Sequence, residues 1–114
     1  IIDYGTDSAA SVDYPIYARK AAKAVASGQC DKGIVCCGTG IGVSITANKE
    51  KGIRCALCTN EFMAEMAKRH NNANMLAFGA RITPVEDVLK MVDIWLNAAF
   101  EEGRHQRRID LIEM

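Results

Sequence analysis

The residues best suited to chemistry lie in the glycine-rich segment Cys37–Ser44, which reads Cys-Gly-Thr-Gly-Ile-Gly-Val-Ser. Its three glycines stand at alternate positions, so the backbone can approach a ligand closely. If a helix begins within the segment, the free amides of the helix start can bind an anion. The spacing matches neither a Walker loop nor a dinucleotide-binding fingerprint. The segment predicts an anion-binding turn, and a tight turn without function is the alternative.

Cys37 opens this segment and is its candidate base. A thiol beside a helix N-terminus has its thiolate stabilised, which moves the thiol pKa from ~8.5 toward neutrality. Such a thiolate could remove a proton from a carbon atom. The competing interpretation is that Cys37 is a small buried strand residue, like its neighbour Cys36.

His70 begins the polar run His70–Asn74, between a predicted helix and a predicted strand. A histidine at a helix C-terminus is often only a favourable partner of the helix dipole. Three asparagines crowd this run, however, so a functional role is supported equally well. Arg81 follows the Phe78-Gly79 strand end and stands at the expected rim of a ligand site.

The tail Gly103–Arg108 holds the local cluster of positive charge. If the tail is helical, Arg104 and Arg108 share one face, because they are four residues apart. Two guanidinium groups on one face suit a phosphate, which arginine binds in bidentate fashion. The alternative is a solvated basic tail.

Cys55 and Cys58 form a CxxC pair, which in isolation suggests zinc or redox chemistry. A structural zinc site usually needs four Cys or His ligands. Ile53–Cys58 also reads as a strand, in which residues three apart point to opposite faces. We therefore interpret both cysteines as core residues, and the odd total of 5 cysteines favours a reducing compartment.

The bulk composition is that of a soluble globular protein. The chain has 114 residues, 49% hydrophobic and 25% charged, which predicts a single domain over 1–114. Fourteen basic residues balance 14 acidic ones, so nothing in the net charge favours nucleic acid or a membrane surface. No apolar run approaches the ~20 residues of a membrane span.

Apolar runs and helical patterns alternate along the chain. Strands are predicted at Gly33–Cys37, Ile53–Cys58 and Asn74–Phe78, with a strand end at Ile1–Tyr4, and helices at 13–27, 43–49, 59–69 and 83–100. This order predicts βαβ units and an α/β fold, a three-layer αβα Rossmann-like parallel sheet. Ligands bind such sheets at the carboxyl ends of the strands, which are the loops after Cys37, Cys58 and Phe78.

Two helix starts carry capping signals. Asp13 is the expected cap of the first helix, and Thr83–Glu86 has the form of a capping box with Pro84 at the first helical position. The helix after Pro84 has an apolar stripe, which predicts its buried face. The stripe consists of Val88, Leu89, Val92, Trp95 and Leu96.

Six motifs, taken in order, resemble one known family. They are Asp13-Tyr14-Pro15, the Cys37–Gly42 turn, Ala47-Asn48-Lys49, His70-Asn71-Asn72, Phe78-Gly79-Ala80-Arg81 and Gly103–Arg108. The set spans nearly the whole chain and resembles the type B ribose-5-phosphate isomerases and their galactose-6-phosphate isomerase relatives. The resemblance implies an enzyme of sugar-phosphate metabolism that interconverts ribose 5-phosphate and ribulose 5-phosphate through a cis-enediolate. It implies no metal and no organic cofactor.

The resemblance also implies roles for individual residues. Cys37 would be the base, Thr39 would assist proton movement at the sugar oxygens, and His70 would promote ring opening. The turn would hold the enediolate oxygens as an oxyanion hole does. The implied enediolate-stabilising residues are Gly38, Gly40, Gly42 and Ser44, and the implied substrate-binding residues are Tyr14, Asn71, Arg81, Arg104 and Arg108.

One branch of the family has a glutamate base at the position of Val43 and lacks the cysteine, so this chain resembles the cysteine-base branch. The resemblance implies a cytoplasmic homodimer or tetramer whose active sites take residues from two subunits. His70 and the tail arginines would then serve the pocket of a neighbouring chain. A sugar phosphate is the implied partner, and no nucleic acid or membrane is.

The resemblance fails at the start of the sequence. The family's first strand and helix, with an Asp-His pair used in ring opening and phosphate contact, have no counterpart here. We expect a further segment before Ile1, and without one an exposed sheet edge and weak activity. Two alternatives stay open. One is the same chemistry on galactose 6-phosphate or allose 6-phosphate, and the other is a non-catalytic sugar-phosphate-binding module.

Overall fold

The computed structural model describes residues 1–5 and 12–114. Within these residues the chain forms strands and helices in alternation, as predicted. The elements are α1 (Tyr14–Ala26), β1 (Gly33–Cys37), α2 (Ile41–Asn48), β2 (Cys55–Leu57), α3 (Glu61–Arg69), β3 (Met75–Gly79), α4 (Val85–Asn97) and α5 (Arg104–Ile112).

The three strands form one parallel sheet in the order β1-β3-β2. All five residues of the central strand β3 are buried, as expected for an apolar run covered on both faces. The register aligns Cys37 of β1 with Gly79 of β3 and Leu57 of β2 with Ala77. The carboxyl ends of β1 and β3 therefore lie side by side.

Two apolar cores cover the two faces of the sheet. Successive side chains of a strand point to opposite faces, so Met75 and Ala77 enter one core and Leu76 and Phe78 enter the other. Helices α1 and α2 complete the first core, while α3 and α4 complete the second, where Trp95 is buried. This arrangement confirms the three-layer αβα fold.

β1 lies at one edge of the sheet, and its Ile34 side chain is 47% exposed. An apolar groove of about 880 Å³ runs along this edge and is also lined by Ile1 and Trp95. The prediction of a strand end at Ile1–Tyr4 is wrong for this structure. A strand requires a hydrogen-bonded neighbour, and within the described ranges β1 pairs only with β3.

α1 begins where the sequence predicts, but Asp13 makes no side-chain capping bond. A capping side chain accepts from the second or third N–H of the helix. Here the second position is Pro15, which has no N–H. The third N–H, that of Ile16, donates to the Asp13 carbonyl at 3.1 Å instead.

The predicted capping box at Thr83 is also wrong. Pro84 is the residue before the helix, with an extended backbone at φ −60° and ψ 150°, and no side chain caps it. The Pro84 carbonyl accepts from Asp87 and Val88 at 3.0 and 3.1 Å, so the first helical turn closes one residue later than predicted. Thr83 is buried.

α4 ends at Asn97 rather than near Phe100, and its buried face is narrower than the predicted stripe. Trp95 is buried, and Val88 and Val92 pack against the core, but Leu89 and Leu96 are 62% and 50% exposed. Each of these leucines lies one residue, about 100° around the helix, beyond that face. Met91 is buried in their place.

β2 is shorter than predicted because Arg54 donates its backbone N–H to the Asn74 side chain at 2.8 Å, not to a neighbouring strand. α2 starts two residues earlier than predicted, since the Gly40 carbonyl already accepts from Ser44 at 3.2 Å. The basic tail is helical from Arg104, which meets the condition under which Arg104 and Arg108 share one face. None of the helices in the described ranges has the length and apolarity of a membrane span.

Candidate active site

The glycine turn lies directly against the end of β3. Gly40 has φ +83°, a left-handed conformation that favours glycine, and a Cβ there would come within 2.8 Å of the Phe78 carbonyl carbon. A Cβ on Gly79 would lie 2.5 Å from the Thr39 carbonyl carbon. Backbone meets backbone at this point, so the two glycines fix the position of the turn over the sheet.

The Cys37 thiol lies at the start of this turn, at the end of β1. Gly40 donates its backbone N–H to the Cys37 Sγ over 3.2 Å. Partial burial raises the pKa of Cys37, but the backbone N–H groups of Val43, Thr39, Gly40 and Gly42 together outweigh burial and hold it below its ordinary value. The turn amides therefore favour the thiolate form of Cys37 more than the surroundings of an ordinary buried strand cysteine would.

Cys36, one residue earlier, has the opposite character. Desolvation, followed by the charge of the neighbouring Cys37, raises the pKa of Cys36. The alternation of side chains along β1 sends Cys36 away from the turn. Of these two adjacent thiols, only Cys37 meets the amides of the turn, while Cys36 interacts with the Ala80 N–H outside it.

Arg81 and Tyr14 border the turn on two sides. The Arg81 side chain covers Gly38, where a Cβ would lie 3.5 Å from Nε, and Arg81 donates its backbone N–H to the Gly38 carbonyl at 3.0 Å. The Tyr14 ring and hydroxyl lie over Gly42, so closely that a Cβ there would collide with them. Both predicted substrate contacts therefore lie beside the Cys37 turn.

Thr39 and Ser44 are placed differently from one another. The Thr39 hydroxyl is in the turn and accepts from the Ile41 N–H at 3.3 Å. Ser44 lies one helical turn further along α2, and its side chain interacts with the Cys55 thiol. Val43, at the position of the alternative glutamate base, is 2% exposed and belongs to the first core.

Cys55 and Cys58 are core residues, as predicted. They belong to separate cores on the two faces of the sheet. Desolvation raises the pKa of Cys55 to about 12 and that of Cys58 to about 11. Buried protonated thiols on opposite faces do not suit a shared metal ion or a CxxC redox centre.

His70 and Asn71 lie at the other end of the sheet, in the loop that precedes β3. The His70 ring stacks on that of His105 in α5, with centroids 4.1 Å apart and planes 9° apart. Their Nε2 atoms lie 3.6 and 3.4 Å from the same Glu101 carboxylate oxygen, Oε1. This cluster, His70–Glu101–His105, fastens the start of α5 to the end of α3.

Electrostatics within this cluster favour an ionised carboxylate. The Arg69 hydrogen bond is the largest of the effects that lower the pKa of Glu101. Desolvation, followed by the charges of His70 and Arg104, lowers the pKa of His105.

Arg54, the residue before β2, binds the same loop. Its guanidinium donates to the carbonyls of Asn71 and Asn72 at 3.0 and 2.9 Å and to the Glu113 carboxylate at 2.7 Å. Asn72 has a left-handed backbone, with φ +44°. One side chain thus ties β2, the His70 loop and the end of α5 together.

The structure divides the predicted site residues into two groups. Cys37, Thr39, the turn glycines, Tyr14 and Arg81 surround the carboxyl ends of β1 and β3. His70, Asn71, Arg104 and Arg108 lie at the amino end of the sheet. The five residues of β3 separate the two ends by ~13 Å. One chain therefore does not bring His70 to Cys37.

Sequence reasoning missed Glu101, His105 and Arg54. The four-residue spacing of Glu101 and His105 was the one available signal for the first two, and it was weak because Glu101 precedes α5. Arg54 carried none, because its partners are backbone carbonyls of a distant loop.

The chain is similar to known proteins over almost its whole length. The family described as Ribose/Galactose Isomerase matches residues 1–112. Ribose-5-phosphate isomerase B of Escherichia coli is 48% identical over 112 residues, covering 98% of this chain and 75% of that protein. This chain thus spans about three quarters of that relative's length.

Solved structures give the same result. Ribose-5-phosphate isomerase B of Clostridium thermocellum superposes with a TM-score of 0.96 at 54% identity, covering 98% of this chain and 76% of that one. The Mycoplasma genitalium enzyme of the same name, with ribulose-5-phosphate bound, has a TM-score of 0.91 at 44% identity and covers 96% and 73%.

Proposed function

The chain belongs to the ribose/galactose isomerase family, and on that basis we propose that it interconverts ribose 5-phosphate and ribulose 5-phosphate with Cys37 as the base. The observation that carries this proposal is the Cys37 thiol beside four backbone N–H groups that lower its pKa. The ribulose-5-phosphate bound to the Mycoplasma genitalium relative supports a pentose phosphate as substrate.

In the proposed reaction the Cys37 thiolate takes the proton from carbon 2 of the open-chain aldose. The electron pair forms a carbon–carbon double bond, and the aldehyde oxygen becomes the enediolate oxygen. A proton then moves between the two sugar oxygens, assisted by the Thr39 hydroxyl. Finally the Cys37 thiol returns its proton to carbon 1 and gives the ketose. The proton count balances, and the base is regenerated.

The turn amides stabilise negative charge throughout this sequence. The charge begins on the Cys37 sulfur and passes to the enediolate oxygens as the proton moves to sulfur. The Gly40 and Gly42 amides lie beside the Cys37 sulfur, and with Gly38 they would also face the enediolate oxygens, with Ser44 one helical turn further along α2. Such preorganised donors need little rearrangement as the charge moves, which lowers the barrier.

Ring opening and phosphate binding require the groups at the amino end of the sheet. We propose that a second copy of the chain supplies them, so that His70 and Asn71 of one subunit face Cys37 of the other. Arg104 and Arg108 are exposed on α5 and would bind the phosphate in the same shared site. The separation of the two groups in one chain supports a dimer, or a tetramer built from dimers.

Residues 1–114 would act in this enzyme as a single isomerase domain. Proton transfer by a thiol and ring opening by an imidazole require no metal and no organic cofactor. A functional thiolate also suits a reducing compartment, which supports the cytoplasm as the location.

The direct test is turnover of ribose 5-phosphate by the full-length protein and by a Cys37→Ala variant. We expect the variant to lose about 10²–10⁴-fold in kcat while it still binds substrate, because only the proton-transfer group is removed. Cys36→Ala is the matched control, since it removes a neighbouring thiol outside the turn. It should keep kcat within about 3-fold.

Three other results would change the assignment. Equal loss in both cysteine variants would indicate a structural effect and remove Cys37 as the base. Turnover of galactose 6-phosphate or allose 6-phosphate in place of ribose 5-phosphate would move the substrate to a hexose. Binding without turnover of any of these sugars would identify a binding module.

A further inference from the structure

The His70–Glu101–His105 cluster brings together three groups that are common metal ligands. The His70 and His105 Nε2 atoms lie 3.6 and 3.4 Å from Glu101 Oε1, and all three ligand atoms lie within 4.8 Å of one another. Over residues 1–5 and 12–114 no other group of three such side chains has this arrangement.

Two of the three distances within the cluster are close to those around a tetrahedral ion, and the third, between the imidazole ligand atoms, is within 4.8 Å. Zinc binds imidazole nitrogen and carboxylate oxygen at about 2.0–2.2 Å, so neighbouring ligand atoms of a tetrahedral site lie about 3.3–3.5 Å apart. The two measured nitrogen–oxygen distances fall at or next to this range. Two histidines and one glutamate form a ligand set that leaves the fourth position free for a water molecule.

The surroundings orient the carboxylate for this role. Arg69 binds the other oxygen of Glu101, with its Nε 2.7 Å from Oε2, and leaves Oε1 facing the two imidazoles. Arg69 is itself held by Glu65 at 2.8 Å, and the Glu101 N–H donates to the Arg69 carbonyl at 3.0 Å. Outer contacts of this kind hold metal ligands in place, although the arginine charge weakens binding of a cation.

We propose that His70, Glu101 and His105 form a binding site for a divalent transition-metal ion, with Zn²⁺ as the physiological candidate. An ion there occupies the Nε2 atom of His70 and prevents that imidazole from exchanging a proton with the sugar. The site is therefore inhibitory, and this second part rests on the proposed isomerase function. The metal takes no part in the isomerisation.

The test of binding uses the full-length protein with Cys37→Ala, so that the reactive thiol cannot hold the metal. Co²⁺ is titrated first, followed by displacement with Zn²⁺. We expect one ion per chain, visible absorption bands of tetrahedral Co²⁺, and none of the near-ultraviolet bands that cobalt–thiolate bonds produce. A second substitution, His105→Ala, should weaken binding by at least about 10-fold.

Glu113→Gln is the matched control, because Glu113 is a carboxylate of the same end of the molecule that binds Arg54 rather than the cluster. Its affinity for Co²⁺ should stay within about 2-fold. Cobalt–thiolate bands, or an affinity that His105→Ala leaves unchanged, would place the ion elsewhere and overturn the site. Absence of binding at 100-fold excess of Co²⁺ over protein would overturn it as well.

The inhibitory part is measured separately on the protein with Cys37 intact. Zn²⁺ should reduce turnover over the concentration range in which it binds, and a chelator should restore activity. If Zn²⁺ saturated the site and turnover stayed at its full rate, the proposed inhibition would be wrong, but the binding site would still exist. A protein that fails to isomerise any sugar would overturn the proposed function, while the cobalt titration would still decide whether the site exists.

Discussion

At the scale of single residues, two adjacent cysteines differ in chemistry because four amides outweigh burial at Cys37, whereas one amide, that of Ala80, does not outweigh it at Cys36. The Gly40 N–H reaches the Cys37 sulfur at 3.2 Å, and the surrounding amides lower the Cys37 pKa despite burial. Desolvation and the neighbouring charge raise the pKa of Cys36. A lowered pKa is the direction of shift that favours the thiolate as a general base.

This difference predicts the order in which the cysteines react with iodoacetamide. Only the thiolate is alkylated, so Cys37 should be modified at a lower pH than Cys36. The buried Cys55 and Cys58, with pKa values of about 12 and 11, should stay unmodified in the folded protein. Peptide mass spectrometry after labelling between pH 6 and 9 measures these four of the chain's 5 cysteines.

Modification of Cys36 ahead of Cys37 would contradict the assignment of the base. Denatured protein is the control, because unfolding removes the amide contacts and should bring the four cysteines close to one another in reactivity. The rate of inactivation should follow the labelling of Cys37 and not that of Cys36.

At the scale of elements, the close contact between the glycine turn and β3 positions the site. The Gly79 Cα faces the Thr39 backbone, and a Cβ there would lie 2.5–2.7 Å from three Thr39 atoms. Backbone atoms cannot move aside as a flexible side chain can. Any residue larger than glycine at this position must therefore displace the turn that carries the amides around Cys37.

Gly79→Ala should reduce kcat/KM by about 10²-fold, because catalysis is sensitive to displacements near 1 Å. It should also destabilise the fold by about 1–3 kcal/mol through overpacking. Gly33→Ala is the control at the opposite end of the sheet, where a Cβ would meet only Met75 and Val25 side-chain atoms at 3.0 Å. Thermal unfolding and steady-state kinetics separate the two effects.

The control should lose stability but keep kcat within about 3-fold. If Gly79→Ala lost no more activity than Gly33→Ala, the turn would not need the close contact with β3. The amides would then not depend on this packing for their position.

The elements themselves were largely predictable from the sequence. The bounds of β1 agreed with prediction because Gly33 and the glycine turn delimit a short apolar run. The buried face of α4 was less predictable, because Leu89 and Leu96 are apolar residues and yet both are exposed. The composition of Ile1–Tyr4 predicts a strand end, but strand formation depends on a partner that composition does not reveal.

At the scale of the whole molecule, the parallel topology separates the site residues that the motifs had grouped. The motifs identified His70, Arg104 and Arg108 individually, yet their position at the amino end of the sheet follows only from the direction of α3 and the packing of α5. The pairing of His70 with Glu101 and His105 was likewise not predictable, because it joins segments more than 30 residues apart. Subunit sharing was an implication of the resemblance, and the separation now supports it.

In the proposed enzyme, one active site takes Cys37 from one subunit and His70 from another. The most direct test of this sharing is complementation between two inactive variants, Cys37→Ala and His70→Ala, unfolded and refolded together as full-length proteins. Random pairing makes half of the dimers mixed, and each mixed dimer has one site with both residues intact. We predict recovery of about a quarter of wild-type activity, with mixed dimers counted by native mass spectrometry. Mixed dimers that form but show no more activity than the separate variants would contradict this sharing, because both residues would then act within one chain.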